Sequence, residues 1–251
     1  MNSQLRGKVA LISGSSRGIG KAIAHALHSE GCKIVLNGRD PDVLIQTTTE
    51  FPDAISIVGD VCDPVQAAQI LNETIALAGK LDILVCNVGS GSSVPPGSET
   101  HEEWQRVFAI NVWSTTNLVE AALPALAQSK GSIVCISSIC GNEVIPNAPV
   151  TYSVAKAALN AYVRGIARPL GDKGVRINAI APGNILSGDS VWSRKLAENK
   201  TAVENMLEKE VPMKRLGTPE EIGHLVTYLS SPLSEFATGS VWTLDGGQTR
   251  F

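Results

Sequence analysis

The stretch Val9-Ala10-Leu11-Ile12-Ser13-Gly14-Ser15-Ser16-Arg17-Gly18-Ile19-Gly20 decides how the rest of the chain is read. The apolar run over residues 8–13 does not alternate with polar residues, which predicts a strand buried on both faces. A glycine-rich turn follows, and then Ile19, Ile23, Ala26 and Leu27 recur at helical spacing until Gly31 supplies a stop. A strand, a turn free of bulky side chains and a helix N-terminus, in that order, let the backbone approach a pyrophosphate at the positive end of the helix. The spacing is G-x-x-x-G-x-G, and the flanking strand and helix, more than the glycines, give it meaning. Gly14, Ser16, Arg17, Gly18, Ile19 and Gly20 are therefore candidate phosphate-binding residues.

Six more apolar runs, over 33–37, 55–59, 82–86, 132–137, 175–180 and 241–244, alternate with amphipathic stretches. Asp40-Pro41 and Asp63-Pro64 each place an N-cap acid before a proline at the first helical position, and Thr100 with Glu103 and Thr218 with Glu221 match capping boxes. Strands alternating with helices imply right-handed crossovers and a parallel sheet. The expected architecture is α/β, a Rossmann-type doubly wound parallel sheet of about seven strands with helices on both faces. No repeat or linker divides the chain, so residues 1–251 are read as one domain. The irregular insertion at about 184–215 carries Trp192, Met206 and Met213 among six basic residues (Arg194, Lys195, Lys200, Lys209, Lys214, Arg215) and five acidic ones (Asp189, Glu198, Glu204, Glu208, Glu210). It is read as a helical lid over a pocket, with an ordinary surface helical hairpin as the alternative.

Composition narrows the function. The chain has 251 residues, 21 Lys+Arg against 24 Asp+Glu, a net charge of -3 and 43% hydrophobic residues. That balance lacks the basic footprint a nucleic-acid partner requires. No apolar run approaches the roughly 20 residues of a membrane helix, and the first apolar run is too short for a signal peptide. Cys32, Cys62, Cys86, Cys135 and Cys140 are odd in number and form no C-x-x-C pair, so they read as reduced thiols of a cytoplasmic protein. His25 and His28 on the outer face of the first helix, and His101 and His224 near capping signals, lack any metal-binding partner motif. No metal is expected.

An adenosine ribose bound at the turn reaches the end of the second strand, Ile34-Val35-Leu36-Asn37-Gly38-Arg39. A carboxylate there holds a 2'-hydroxyl and repels a 2'-phosphate. Here the position reads Gly38, with Arg39 beside it and Arg17 in the turn, both suited to a phosphate, so NADP(H) is predicted. Two solvated arginines and a dual or NAD preference form the alternative, with Asp40 one residue further on.

In Thr151-Tyr152-Ser153-Val154-Ala155-Lys156, Tyr152 and Lys156 stand four apart, on one helix face. A phenol with pKa near 10 is a poor base at neutral pH, and a neighbouring ammonium, with the positive nicotinamide of an oxidised cofactor, favours its ionised form. At the end of the fifth strand, Ile136-Ser137-Ser138 offers a hydroxyl to a carbonyl oxygen, and Asn111 lies in a helix from which it can support a proton relay to Lys156. Buried Ser and Asn are also ordinary structural groups.

Taken together, Ser13-Gly14 through Gly20, Asp60-Val61, Asn87-Val88-Gly89, Asn111, Ser138, Tyr152 with Lys156, Pro182-Gly183 and Leu244-Asp245-Gly246-Gly247 resemble the short-chain dehydrogenase/reductase family over nearly the whole chain, and within it the 3-oxoacyl-(acyl carrier protein) reductase-like branch. The resemblance implies a catalytic tetrad. Tyr152 would be the general acid/base, Lys156 would lower its pKa and hold the nicotinamide ribose, Ser138 would polarise the carbonyl and Asn111 would support the relay. It further implies adenine contacts at Asp60 and Val61, a cofactor cleft at Asn87 and Gly89, a nicotinamide border at Pro182, Gly183 and Ile185, and a homotetramer. The implied reaction is NADPH-dependent reduction of a ketone, most naturally a 3-oxoacyl thioester. A sugar or polyol dehydrogenase and a non-catalytic dinucleotide sensor are the alternatives.

Four departures stand out. Cys86-Asn87-Val88-Gly89 replaces the usual Asn-Asn-Ala-Gly; Ser138 is 14 residues before Tyr152, with Ser137 as a rival; Ser187 stands where Thr is common; and Arg168-Pro169 is expected to kink the last turn of the helix that begins near Tyr152.

Overall fold

The computed structural model describes residues 3–188 and 190–250, so Asp189, counted above among the acids of the lid, lies outside the described residues. Seven strands form one sheet: β1 (Val9–Ile12), β2 (Lys33–Gly38), β3 (Ile55–Val58), β4 (Ile83–Cys86), β5 (Ser132–Ile136), β6 (Arg176–Pro182) and β7 (Val241–Leu244). All neighbours pair in parallel, in the order β3-β2-β1-β4-β5-β6-β7. The strand order reverses between β1 and β4, so the crossovers leaving those strands depart to opposite faces and open a crevice at their C-terminal ends. The described helices are α1 (Gly18–Ser29), α2 (Pro41–Thr48), α3 (Pro64–Ala78), α4 (His101–Phe108), α5 (Ser114–Ser129), α6 (Val150–Gly171), α7 (Val191–Glu210) and α8 (Pro219–Ser230).

The helix starts follow their capping chemistry. Asp40 Oδ1 accepts the N–H groups of Asp42 and Val43, and Asp63 Oδ1 those of Val65 and Gln66. Thr218 and Glu221 complete a reciprocal box. Thr100 completes only half of one: its hydroxyl accepts the Glu103 N–H, but the Glu103 carboxylate turns to Arg106 and Ser93. Those partners hold Glu103 down at about 2, the Arg106 hydrogen bond contributing most.

Each face of the sheet closes its own core. On one face, Val9, Leu11, Leu84, Cys86, Ile133 and Cys135 pack with residues of α3, α5 and α6; on the other, Ala10, Ile12, Ile34, Leu36, Ile83 and Val134 pack with residues of α1, α2 and α8. Alternate residues of one strand enter opposite cores, which explains the unbroken apolar runs. The approach of α1 to α8 needs Gly223, where a Cβ would stand 2.9 Å from the Ala26 Cβ. At the other end of the sheet, Asp82 enters β4 buried against Lys8 (3.1 Å), Lys80 (2.9 Å) and the Val9 N–H (2.9 Å). Burial raises its pKa, but these three hydrogen bonds outweigh it and hold the carboxyl below its usual range.

Pro169 lies inside α6, which runs on to Gly171 with its closing turn intact, so the expected kink is absent. The carbonyl a proline would crowd, four residues back, belongs to Gly165, which faces open space on the exposed side of the helix. His25 and His28 pack their rings on Phe51, and His25 meets Glu50 at 3.2 Å. All five cysteines are free. Among the described residues no helix is long and apolar enough to cross a membrane, and no three His, Cys, Asp or Glu side chains gather as metal ligands would.

Candidate active site

The crevice at the C-terminal ends of β1 and β4 holds two adjoining cavities, of about 860 and 480 Å3, which share Arg17, Asn87, Gly89 and Ser90. The larger lies over β2 and β3. Of the residues singled out in the sequence, it is lined by Gly14, Ser16, Arg17, Arg39, Asp60 and Val61. The smaller one gathers Ile19, Gly20, Ser138, Tyr152, Lys156 and the stretch Pro182, Gly183 and Ile185. Gly18 faces a third hollow on the outer side, and Asn111 is fully buried behind the wall.

The turn that closes the base of both cavities is built to exclude side chains. Gly14 and Gly18 adopt φ of +62° and +55°, and a Cβ on Gly20 would lie 2.3 Å from the Gly14 carbonyl oxygen. Asn87 fixes the turn to β4. Its Nδ2 donates to the carbonyls of Ser13 and Gly14 at 3.0 Å each, so this side chain, expected as cleft lining, is also a structural brace. The Ser13 hydroxyl accepts the N–H groups of Asn87 and Val88 from below. Such a cradle, with glycines at its closest approaches and a helix N-terminus behind it, accommodates a dinucleotide pyrophosphate.

At the β2 end, Gly38 leaves room beside Ser16, and the largely exposed Arg39 reaches Asp60 at 3.3 Å. Asp40 also lines the cavity, but its carboxylate is engaged in capping α2.

Tyr152 and Lys156 come from the first two turns of α6, and Ser138 from the end of β5. The short turn Ile139–Gly141 packs Ser138 close to α6: a Cβ on Gly141 would lie 2.6 Å from the Lys156 carbonyl carbon. The Ser138 hydroxyl accepts the Cys140 N–H at 3.2 Å and hydrogen-bonds Tyr152. Ser137 is spent elsewhere, donating to Asn160 Oδ1 at 2.6 Å in the buried interior, so Ser138 is the serine hydroxyl beside the phenol. Lys156 Nζ donates to the Ile136 carbonyl at 2.8 Å and lies 5.9 Å from the centroid of the Tyr152 ring.

Burial dominates the electrostatics of this pair. Burial pushes the Tyr152 phenol up to about 12, and the Ser138 hydrogen bond offsets this only in part. Burial likewise pulls Lys156 down to about 8. At nearly 6 Å, and turned to a carbonyl, the ammonium does not offset the loss of water around the phenol. On the protein's own groups Tyr152 is therefore held as a proton donor.

Asn111 sits in a π-turn, Ala109–Trp113, inserted between α4 and α5. Its Nδ2 donates to the Val107 carbonyl, the acceptor a regular helix would give its backbone, and to the Ser90 carbonyl; its Oδ1 accepts the Ser90 N–H. The widened turn is the local consequence. Gly89 fills the space between Asn111 and Lys156, since a Cβ there would lie 3.0 Å from both Asn111 Oδ1 and Lys156 Nζ.

The insertion forms α7, which breaks at Asn199 (φ -156°, ψ 84°); the Asn199 Oδ1 then caps the second half by accepting the Ala202 N–H at 2.9 Å. It buries Val203, Leu207 and Val211 against Trp192, Leu196, Met206 and Leu216, a small cluster separate from both main cores. Its two ends meet where Gly217 donates to the Asn184 carbonyl and accepts the Leu186 N–H. Motif reading missed Ser90, Ser92, Ser190, Trp192 and Arg194 as cavity lining. They fall in loops and on the lid, where no spacing rule applies.

The sequence profile described as enoyl-(acyl carrier protein) reductase matches residues 14–249. The chain belongs to the short-chain dehydrogenase/reductase family. It is 33% identical to glucose 1-dehydrogenase 2 of Bacillus subtilis, with 100% of this chain and 98% of the relative covered. It superposes on L-sorbose reductase from Gluconobacter frateurii, solved with NADPH and L-sorbose, with a TM-score of 0.93 at 30% identity and 100% of each chain covered. A 7α-hydroxysteroid dehydrogenase solved with NADH and 7-oxo glycochenodeoxycholic acid gives 0.90 at 28% identity, covering 100% of this chain and 98% of that one. The protein is thus an NAD(P)-dependent oxidoreductase of this family.

Proposed function

We propose that the protein reduces a ketone to a secondary alcohol with NADPH, Tyr152 donating the proton. The observation that carries this reading is the convergence of Ser138, Tyr152 and Lys156 in a cavity that opens onto the glycine-rich turn at Gly14–Gly20. Bound in the crevice, the dinucleotide supplies the hydride. Ser138 donates a hydrogen bond to the carbonyl oxygen, and the Tyr152 hydroxyl, protonated at neutral pH, hands its proton to that oxygen as charge develops there. Lys156 retains its charge below about pH 8, holds the ribose and stabilises the phenolate left behind. Asn111 fixes the Ser90 backbone next to Lys156 and supports return of a proton to Tyr152.

Arg39 and Arg17 beside Gly38, with Asp40 engaged as a cap, support NADP(H) over NAD(H). Among ketones, the 3-oxoacyl thioester is the proposed substrate class, supported by the acyl-carrier description of the matching profile. The sorbose-reducing relative and the serine-rich wall of the smaller cavity favour a sugar or polyol as the second reading. The segment 184–215 acts as the lid, hinged where its ends meet at Gly217. Five free cysteines support a reducing, cytoplasmic setting. Exposed Val150 and Val154 on α6 and the fully exposed Phe236 support burial in a homotetramer, for which sedimentation at four chain masses is the check.

The deciding experiment follows NADPH absorbance with acetoacetyl thioester, wild type beside Tyr152→Phe. Turnover in wild type, reduced by about 10²–10⁴-fold in the variant, is the expected outcome. Unchanged turnover in Tyr152→Phe would falsify the mechanism, and NADPH binding without thioester turnover would turn the substrate to sugars and polyols.

A further inference from the structure

The 480 Å3 cavity is lined by three cations, Arg17, Lys156 and Arg194, and by no acidic side chain among the described residues, in a chain whose net charge is -3. Two of the three already have a role. Arg17 belongs to the phosphate turn and lines both cavities, and Lys156 is buried against the Ile136 carbonyl beside Tyr152. Arg194 lines the catalytic cavity alone and takes no part in the lining of the larger one, where the adenosine phosphates would lie.

Arg194 is exposed and is in no ion pair among the described residues. The lid acids Glu204, Glu208 and Glu210 are paired with Lys200, Lys214 and Arg250. A second feature points the same way: Ser190, Val191 and Trp192, the cap and first turn of the part of α7 that precedes the break at Asn199, line the same cavity and bring to it the positive end of that helical segment.

We propose that the substrate is an oxo acid: its ketone meets Ser138 and Tyr152 while an anionic group on the same molecule, a carboxylate or a phosphate, is bound by Arg194 at the start of the lid. This rests on the carbonyl-reductase reading above and names its substrate class. A guanidinium offers paired donors that match a carboxylate or phosphate, and its placement on the lid couples recognition of the anion to closure. The anion takes no part in the chemistry: hydride and proton add across the C=O bond and the charged group leaves unchanged. After a nicotinamide ring has taken its share, a cavity of this size suits a small oxo acid with Trp192 as its aromatic wall.

The test compares 3-oxobutanoate and 3-oxohexanoate with their ethyl esters, and acetoacetyl coenzyme A with the phosphate-free N-acetylcysteamine thioester, in wild type, Arg194→Gln and Arg194→Lys. In wild type the charged member of a pair is expected to exceed its neutral partner in kcat/KM by about tenfold or more. Arg194→Gln should bring that ratio close to one, chiefly through KM, with Arg194→Lys recovering part of it, while the NADPH Kd changes by less than about twofold. A ratio seen only for the acid–ester pairs assigns a carboxylate; one seen only for the thioester pair assigns a carrier phosphate. No charge preference in any pair, a preference that survives Arg194→Gln, or an NADPH Kd that rises with the loss, each overturns the proposal. If no ketone is reduced, the carbonyl-reductase reading fails on its own. Calorimetric titration of the NADP-loaded protein with each acid and ester then decides: binding of the acid alone, lost in Arg194→Gln, sustains the anion site, and equal binding refutes it.

Discussion

The nucleotide half of the cleft and its catalytic half meet at Asn87 and Gly89, yet the first is shaped by backbone and the second by side chains. Around Gly14–Gly20 the backbone folds so tightly on itself that no Cβ fits at Gly20, and the Asn87 amide pins that backbone with two hydrogen bonds. Facing Tyr152, the wall is carried by α7, which breaks at Asn199 and rests on a small cluster of its own. A site that must bind one invariant group is served by a fixed turn. A site that selects substrates is served by a segment whose attachment to the rest of the fold is light.

Breaking the rigid half has the largest expected effect outside Tyr152. Gly20→Ala puts a methyl group 2.3 Å from the Gly14 oxygen and must displace the turn. We expect dinucleotide binding to vanish in calorimetry, with a stability loss of about 2–3 kcal/mol in denaturant melts. Binding within a few-fold of wild type would show that the turn can open and that its rigidity is not what makes the cradle.

Arg39→Ala tests the same half at its rim. Removing a charge-assisted contact should weaken NADPH by about tenfold and leave NADH nearly unchanged. Equal losses for both cofactors would mean that Arg39 serves only its contact with Asp60.

The junction of the halves titrates. Lys156, lowered by burial to about 8, keeps its charge at neutral pH and loses it as pH rises through 8, so kcat/KM for reduction should fall above pH 8 with the slope of a single ionisation. Tyr152, raised by burial to about 12, remains a donor across that range and adds no lower limb. A profile flat to pH 10 would remove Lys156 from the rate.

The lid should respond least. Asn199→Ala removes a cap worth about 1 kcal/mol while allowing α7 to run straight, so stability should move by less than that and substrate KM by a few-fold. A loss of dinucleotide binding equal to that of Gly20→Ala would erase the contrast between the halves.

How legible each half was follows from the same contrast. The glycine turn reads directly because residues 14–20 form one local unit between a strand and a helix, and all seven apolar runs became strands for the same local reason. Asp40 and Asp63 announced their helices because a cap acts within three residues. Glu103 departed from its expected box because Arg106 and Ser93 compete for its carboxylate, and Ser93 comes from a loop that no spacing rule ties to it. Pro169 predicts a kink, yet α6 continues through it to Gly171. Burial, which a sequence does not display, raises the Tyr152 phenol on the protein's own groups.

By itself the sequence determined which segments become strands, where helices begin, that a tight glycine-rich turn follows β1, and that Tyr152 and Lys156 share a helix face. Each is a matter of a few consecutive residues and their backbone preferences. Only the tertiary structure decided that Ser138 and not Ser137 meets the phenol, that Asn87 braces the turn, that Asn111 widens its helix, and that Arg194 lines the cavity beside Tyr152 with no ion pair among the described residues. These depend on contacts between distant segments and on water excluded from between them, and both exist only once the sheet has closed its two cores.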